Sequence, residues 1–123
     1  MIMLLSASAL ALAALQASVA APTTAFRGCL HDATTKAVSE KVSADTIENY
    51  LRKACTVQEG SLRDALVTFR VKNGMSKKAA ADDAAMTIDD YVATPSDNYK
   101  FMAQQNAPQQ AAAPAQPSSQ PHN

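Results

Sequence analysis

Two cysteines, two histidines and a set of paired aspartates are the residues in this 123-residue chain whose types and spacing suggest chemistry. Cys29-Leu30-His31-Asp32 puts three donor types within four positions. A zinc site needs three or four ligands at fixed spacing, and the chain offers no second cluster to complete one. Asp82, Asp83, Asp89 and Asp90 repeat at i and i+7. On a helix such pairs stand ~10 Å apart along the axis, too far to share one ion. They read as a solvated acidic face, so no metal and no cofactor is expected. Cys29 and Cys55 lack the C-x-x-C spacing of redox motifs, and few neighbours would stabilise a thiolate. With no nucleophile–base pair in sight, the chain is expected not to be an enzyme.

The elements that position these residues follow from hydrophobic period and capping chemistry. Helix one is expected over about Ala25–Lys41, capped by Thr24, with Phe26, Cys29, Leu30, Ala33, Ala37 and Val38 on one stripe. Helix two is expected over Ala44–Val57, with Ser43 as N-cap and Ile47, Tyr50, Leu51, Ala54 and Cys55 facing inward. Helix three is expected over Leu62–Asn73, opened by the capping-box pattern Ser61-Leu62-Arg63-Asp64 and closed by Gly74 at C′. Leu62, Ala65, Leu66 and Phe69 form its stripe. Helix four is expected over Lys77–Ala93, with Ser76 as N-cap and Pro95 as its stop. Ala81, Ala84, Ala85, Ile88, Tyr91 and Val92 face inward. No segment alternates with period two, so the fold class is all-α: a small four-helix domain of two helical hairpins.

The hairpin geometry pairs the cysteines. The turn near Val42-Ser43 lies about 13 residues from each, and at ~1.5 Å per residue the two are level across an antiparallel pair. Both fall on apolar stripes, so a Cys29–Cys55 disulfide is expected. A core of about 78 residues is small enough to need such a staple.

Composition sets the ends. Residues 1–20 carry no charge, no Pro and no Gly, and Met3–Leu15 has the length of a signal-peptide h-region. Ser18-Val19-Ala20 supplies small residues at −3 and −1, so cleavage is expected after Ala20. The absence of Lys and Arg before the apolar run keeps a retained anchor as the alternative. Residues 21–102 form the expected helical domain. Residues 103–123, rich in Pro, Gln and Ala and without formal charge, are expected to be a disordered tail.

Eleven basic residues balance eleven acidic ones, which removes the electrostatic case for nucleic acid or an anionic membrane. The stretch FRVKNGMSKKAAADDAAMTI has the outline of half a helix-turn-helix, but its continuation is acidic. Locally the charge is polarised. Residues 52–78 hold seven basic against two acidic side chains, and residues 82–97 hold five aspartates and no base. This reads as complementarity between helices three and four, with a partner-docking surface as the alternative. Val67 and Val71 make a second apolar stripe on helix three, and Lys77 and Lys78 sit against the dipole at a helix N-terminus. These four residues are the candidate interaction surface, for protein clients or self-association.

The expected function is that of an exported helical binding or accessory protein of the bacterial envelope, periplasmic or secreted, with no transmembrane helix after signal cleavage. Its specific form would be a stress-related holdase chaperone. The chain resembles acid-stress chaperones in size, export, helicity and single disulfide, without a shared motif. The alternative is a carrier of a small ligand or metal, using a cavity between helix four and its neighbours.

Overall fold

The computed structural model describes the backbone of residues 6–112 and the side chains of residues 18–106. Four helices follow one another: α1 (Ser6–Glu40), α2 (Ile47–Ala54), α3 (Thr56–Lys72) and α4 (Lys77–Ala112). There is no strand among the described residues. The all-α, four-helix fold is the expected one, and both helical hairpins, α1–α2 and α3–α4, are present.

The boundaries differ from expectation in four places, each with a physical reason. Helix α1 does not begin at Ala25, and Thr24 does not cap it; the helix runs unbroken from Ser6 through Pro22. The Thr23 hydroxyl donates to the Val19 carbonyl oxygen at 2.8 Å, and Val19 packs against the core. Helix α2 begins at Ile47 rather than Ala44. Ser43 starts a turn instead, with the Thr46 amide on its carbonyl at 3.1 Å and the two hydroxyls 2.9 Å apart. The break between α2 and α3 falls at Cys55, not at Gly60-Ser61, so the apparent capping box lies inside a helix. Cys55 is fully buried and covalently held, and it leaves helical geometry at φ −113° and ψ 26°. Its carbonyl nevertheless accepts the Glu59 amide at 2.9 Å, which starts α3 at once.

The fourth difference is α4. Pro95 does not stop it. Ala80, Ala84, Ile88, Val92 and Ser96 are buried at successive four-residue steps, so the packed stripe crosses the proline. A missing backbone hydrogen bond costs less than losing that burial together with the Tyr99 contact beyond it. The Tyr99 hydroxyl donates to the Val42 carbonyl oxygen and lies 3.2 Å from that of Ala37, tying α4 to the end of α1. Helical structure continues through residues 103–112; residues 113–123 of the expected tail, like residues 1–5 of the leader, lie outside the described residues.

The helix ends show the chemistry that shapes the turns. At the end of α3 the Gly74 amide bonds Val71 and the Met75 amide bonds Arg70, both at 3.0 Å, with Gly74 at φ 98°. This is the Schellman arrangement expected of a C′ glycine. The end of α1 has the same pair of bonds, Lys41 to Val38 and Val42 to Ala37, but the left-handed residue is Lys41 at φ 56°. A non-glycine residue there costs about 1 kcal/mol, and nothing in its type announces the turn. Ser76 caps α4 as expected, its hydroxyl accepting the Ala79 amide at 3.2 Å.

Chain direction follows from three contacts. Cys29 and Cys55 have Cα atoms 5.9 Å apart with their sulfurs joined, so α2 runs back along α1. Val19 and Thr23 share a small cavity with Leu66, Phe69 and Arg70, so α3 continues in that same direction. Tyr91 meets Phe26 edge to face at 6.4 Å between ring centroids, and Tyr99 meets Ala37. Helix α4 therefore runs parallel to α1. The core holds Phe26, Leu30, Ala33, Ala37, Ile47, Leu51, Cys55, Leu62, Leu66, Ala84, Ile88 and Val92. Helix α3 packs closely on both α1 and α4, while α1 and α4 meet less extensively.

The candidate binding groove

Because α1 and α4 run parallel but touch less closely, a strip between them is left open. It forms a groove of about 540 Å³. From α1 it is lined by Arg27, Leu30, His31, Thr34 and Val38, and from α4 chiefly by Tyr91, Pro95, Asn98 and Met102. The volume falls within the ~300–1,000 Å³ typical of small-molecule sites. Leu30 is buried at its floor, whereas Val38 and Met102 are 57% and 56% exposed on its walls. Val38 belongs to the apolar stripe by sequence, but it lines the groove instead of joining the core.

The residues singled out from the sequence fall in different places. Cys29 and Cys55 are joined, and Cys55 is fully buried. His31 is exposed, as its position off the stripe implies, yet it lines the groove. Val67 packs against the core, while Val71 is 36% exposed near the end of α3. Lys77 and Lys78 are exposed, and the Lys78 ammonium bonds Asp82 at 3.0 Å within its own helix. Half of the candidate interaction surface is thus engaged by the domain itself. Among the described residues no three His, Cys, Asp or Glu side chains converge on a common point.

The polarised charge is used internally. Arg52 reaches Asp89 on α4 at 2.7 Å, Glu59 on α3 at 3.6 Å and Glu48 at 3.3 Å. Burial by itself lowers the Arg52 pKa, but the Asp89 bond and the Glu59 charge more than offset it, and the net shift is upward. Glu59 also holds Arg63 at 2.8 Å, and Arg70 pairs with Asp83 across α3 and α4. Three of the four paired aspartates therefore answer to basic groups of this chain. The exception among the arginines is Arg27. Its guanidinium stands 6.0 Å from the Tyr91 ring centroid, and no carboxylate lies within ion-pair distance of it among the described residues.

Sequence reasoning allowed a cavity between helix four and its neighbours as the alternative, but it did not find this groove or its lining because it ended helix four at Ala93. With α4 stopped there, Pro95 and Asn98 had no helix to place them opposite α1, and Tyr99 and Met102 were expected only in one further turn folding back. The available signal was the four-residue spacing Ile88, Val92, Ser96 carried across the proline.

The fold and site define a class: a disulfide-stapled all-α domain with an open amphipathic groove. Comparison with protein-family models, curated proteins and solved structures finds no match for the chain.

Proposed function

We propose that this is an exported, non-enzymatic binding protein of the bacterial envelope, and that the α1–α4 groove is where it binds a small amphipathic molecule. The observation carrying the reading is the groove itself, with Val38 and Met102 left uncovered on opposite walls of a concave, largely apolar strip. Single exposed apolar side chains are ordinary on protein surfaces; two facing each other across a groove are what a bound apolar group would cover. This favours the carrier form of the reading over the holdase form, because the other well-exposed apolar residues among those described, Val57 on α3 and Met86 and Phe101 on α4, do not line the groove. The metal form of the carrier reading has no converging donor set among the described residues to support it.

Export is supported by the leader-like composition of residues 1–20 and by a joined cysteine pair, which an oxidising compartment sustains. No helix among the described residues is long and apolar enough to cross a membrane. Cleavage after Ala20 would remove Val19 from its seat against the core, but it spares every residue that lines the groove.

The test uses Nile red, a neutral dye that brightens in apolar surroundings. The oxidised chain is expected to bind it saturably. Met102→Glu should weaken that binding by about tenfold, since the new carboxylate would have to be desolvated beside the dye. Met102 is exposed, so the far-UV helical signal should be unchanged. Unsaturable fluorescence, or equal binding by the variant, would remove the groove as the binding surface.

A further inference from the structure

We infer that the groove takes a single-chain anionic amphiphile, a long-chain carboxylate, with its headgroup at Arg27 and its chain running toward Val38 and Met102. This rests on the groove being the binding surface and adds the polarity and chemical class of its occupant.

The groove has a direction because its two walls are parallel helices. On α1 the lining runs from Arg27 to Val38, and on α4 from Tyr91 to Met102. Each span is eleven residues, or ~16 Å at the helical rise, long enough for an extended alkyl chain. The Tyr91–Phe26 and Tyr99–Ala37 contacts keep the two walls in step at either end. Polarity changes along this axis. Arg27 and His31 stand at one end, Thr34 and Asn98 lie between, and the half-exposed Val38 and Met102 close the other.

Charge selects the headgroup. Among the described residues no carboxylate lines the groove. Arg52, Arg63 and Arg70 are each paired with an aspartate or glutamate of this chain, whereas Arg27 has no ion pair among the described residues and its guanidinium stands 6.0 Å from the Tyr91 ring centroid. A guanidinium without a carboxylate partner has its N–H edge available, and that planar fork matches a carboxylate bidentately. A cationic headgroup would meet Arg27 with like charge, and a neutral one would leave it without a counter-charge. Beyond the headgroup, Leu30 and Pro95 supply an apolar surface for the chain, and the exposed methyl groups of Val38 and Met102 would be covered by its far end.

The experiment is calorimetric titration of the oxidised full chain with three twelve-carbon amphiphiles below their micelle concentrations: dodecanoate, dodecyltrimethylammonium and dodecyl maltoside. Dodecanoate should bind at one per chain, and tighter than the cationic chain by about tenfold or more, the scale of one charge-assisted contact. Arg27→Glu should reverse that order. Arg27→Gln, which keeps much of the bulk and drops the charge, should abolish the preference without reversing it. Equal affinities for all three chains, or a dodecanoate affinity unchanged in both variants, would overturn the headgroup assignment and leave the groove standing. Absence of binding by all three overturns the inference outright, and the Nile red result then judges the groove separately.

Discussion

Replacing Cys29 and Cys55 together by alanine is expected to lower the unfolding free energy by about 3.5 kcal/mol, as loop-entropy reasoning gives for a loop of this length. The cross-link joins positions 26 apart in sequence, and it fastens the α1–α2 hairpin at the residue where α2 gives way to α3. Domains of this size have total stabilities of only about 5–10 kcal/mol, so the loss should move the urea midpoint far toward zero. The effect extends beyond the unfolded chain. Cys55 is fully buried and marks the break between two helices; without the bond, packing, local hydrogen bonds such as that from the Glu59 amide to the Cys55 carbonyl, and the Arg52–Glu59 contact are left to hold that break in place. Reduction with a thiol should reproduce the double variant. A urea midpoint that does not change on reduction would mean that the staple contributes nothing to the folded state.

Phe26→Ala should cost a similar amount, about 3–4 kcal/mol, by the usual sum of lost transfer energy and residual cavity. Phe26 has no exposed surface and is among the largest fully buried side chains. It stands where α1 meets α4, with Tyr91 edge-on at 6.4 Å. Tyr91 also lines the groove, with the Arg27 guanidinium 6.0 Å from its ring centroid. The substitution is therefore expected to loosen the polar end of the groove as well as the core, weakening dye binding at temperatures where the variant is still folded. Urea unfolding followed by circular dichroism measures the first effect. A loss below about 1 kcal/mol would show that α1 and α4 are not packed through this residue.

What the sequence made legible was whatever local periodicity determines. The existence of four helices, the caps at Ser76 and Gly74, and the pairing of Cys29 with Cys55 all follow from side-chain type and spacing within a turn or a hairpin. The helix boundaries were less legible, because distant groups set them. Pro95 and Pro22 are strong local stop signals, yet the helices pass through both, with Ser96 and Tyr99 packed beyond one and Val19 seated on the core near the other. The α2–α3 break falls at Cys55 and not at the glycine five residues later. A buried, cross-linked residue has its backbone fixed by its partner, whereas Gly60 merely tolerates a turn. Lys41 in the left-handed region has no type signal at all.

The place and lining of the groove were hidden for the same reason. It is a tertiary consequence of α4 continuing past Pro95, and Val38 was assigned to the core because it shares a stripe with residues that are buried. The charge polarity was legible as complementarity between α3 and α4, and the Arg70–Asp83 pair bears that out. The residue left over from this pairing, Arg27, stood out only once the contacts of the other arginines were known.

The α1–α4 groove, and no other apolar surface, is expected to receive the ligand. Methyl-resolved NMR of the oxidised chain during titration with dodecanoate tests it most directly. The Val38 and Met102 methyl resonances should shift saturably with a common affinity, while those of Val57 and Met86, more exposed but outside the groove, stay in place. Shifts at Val57 or Met86 with Val38 and Met102 silent, or small unsaturable shifts at all four, would contradict it.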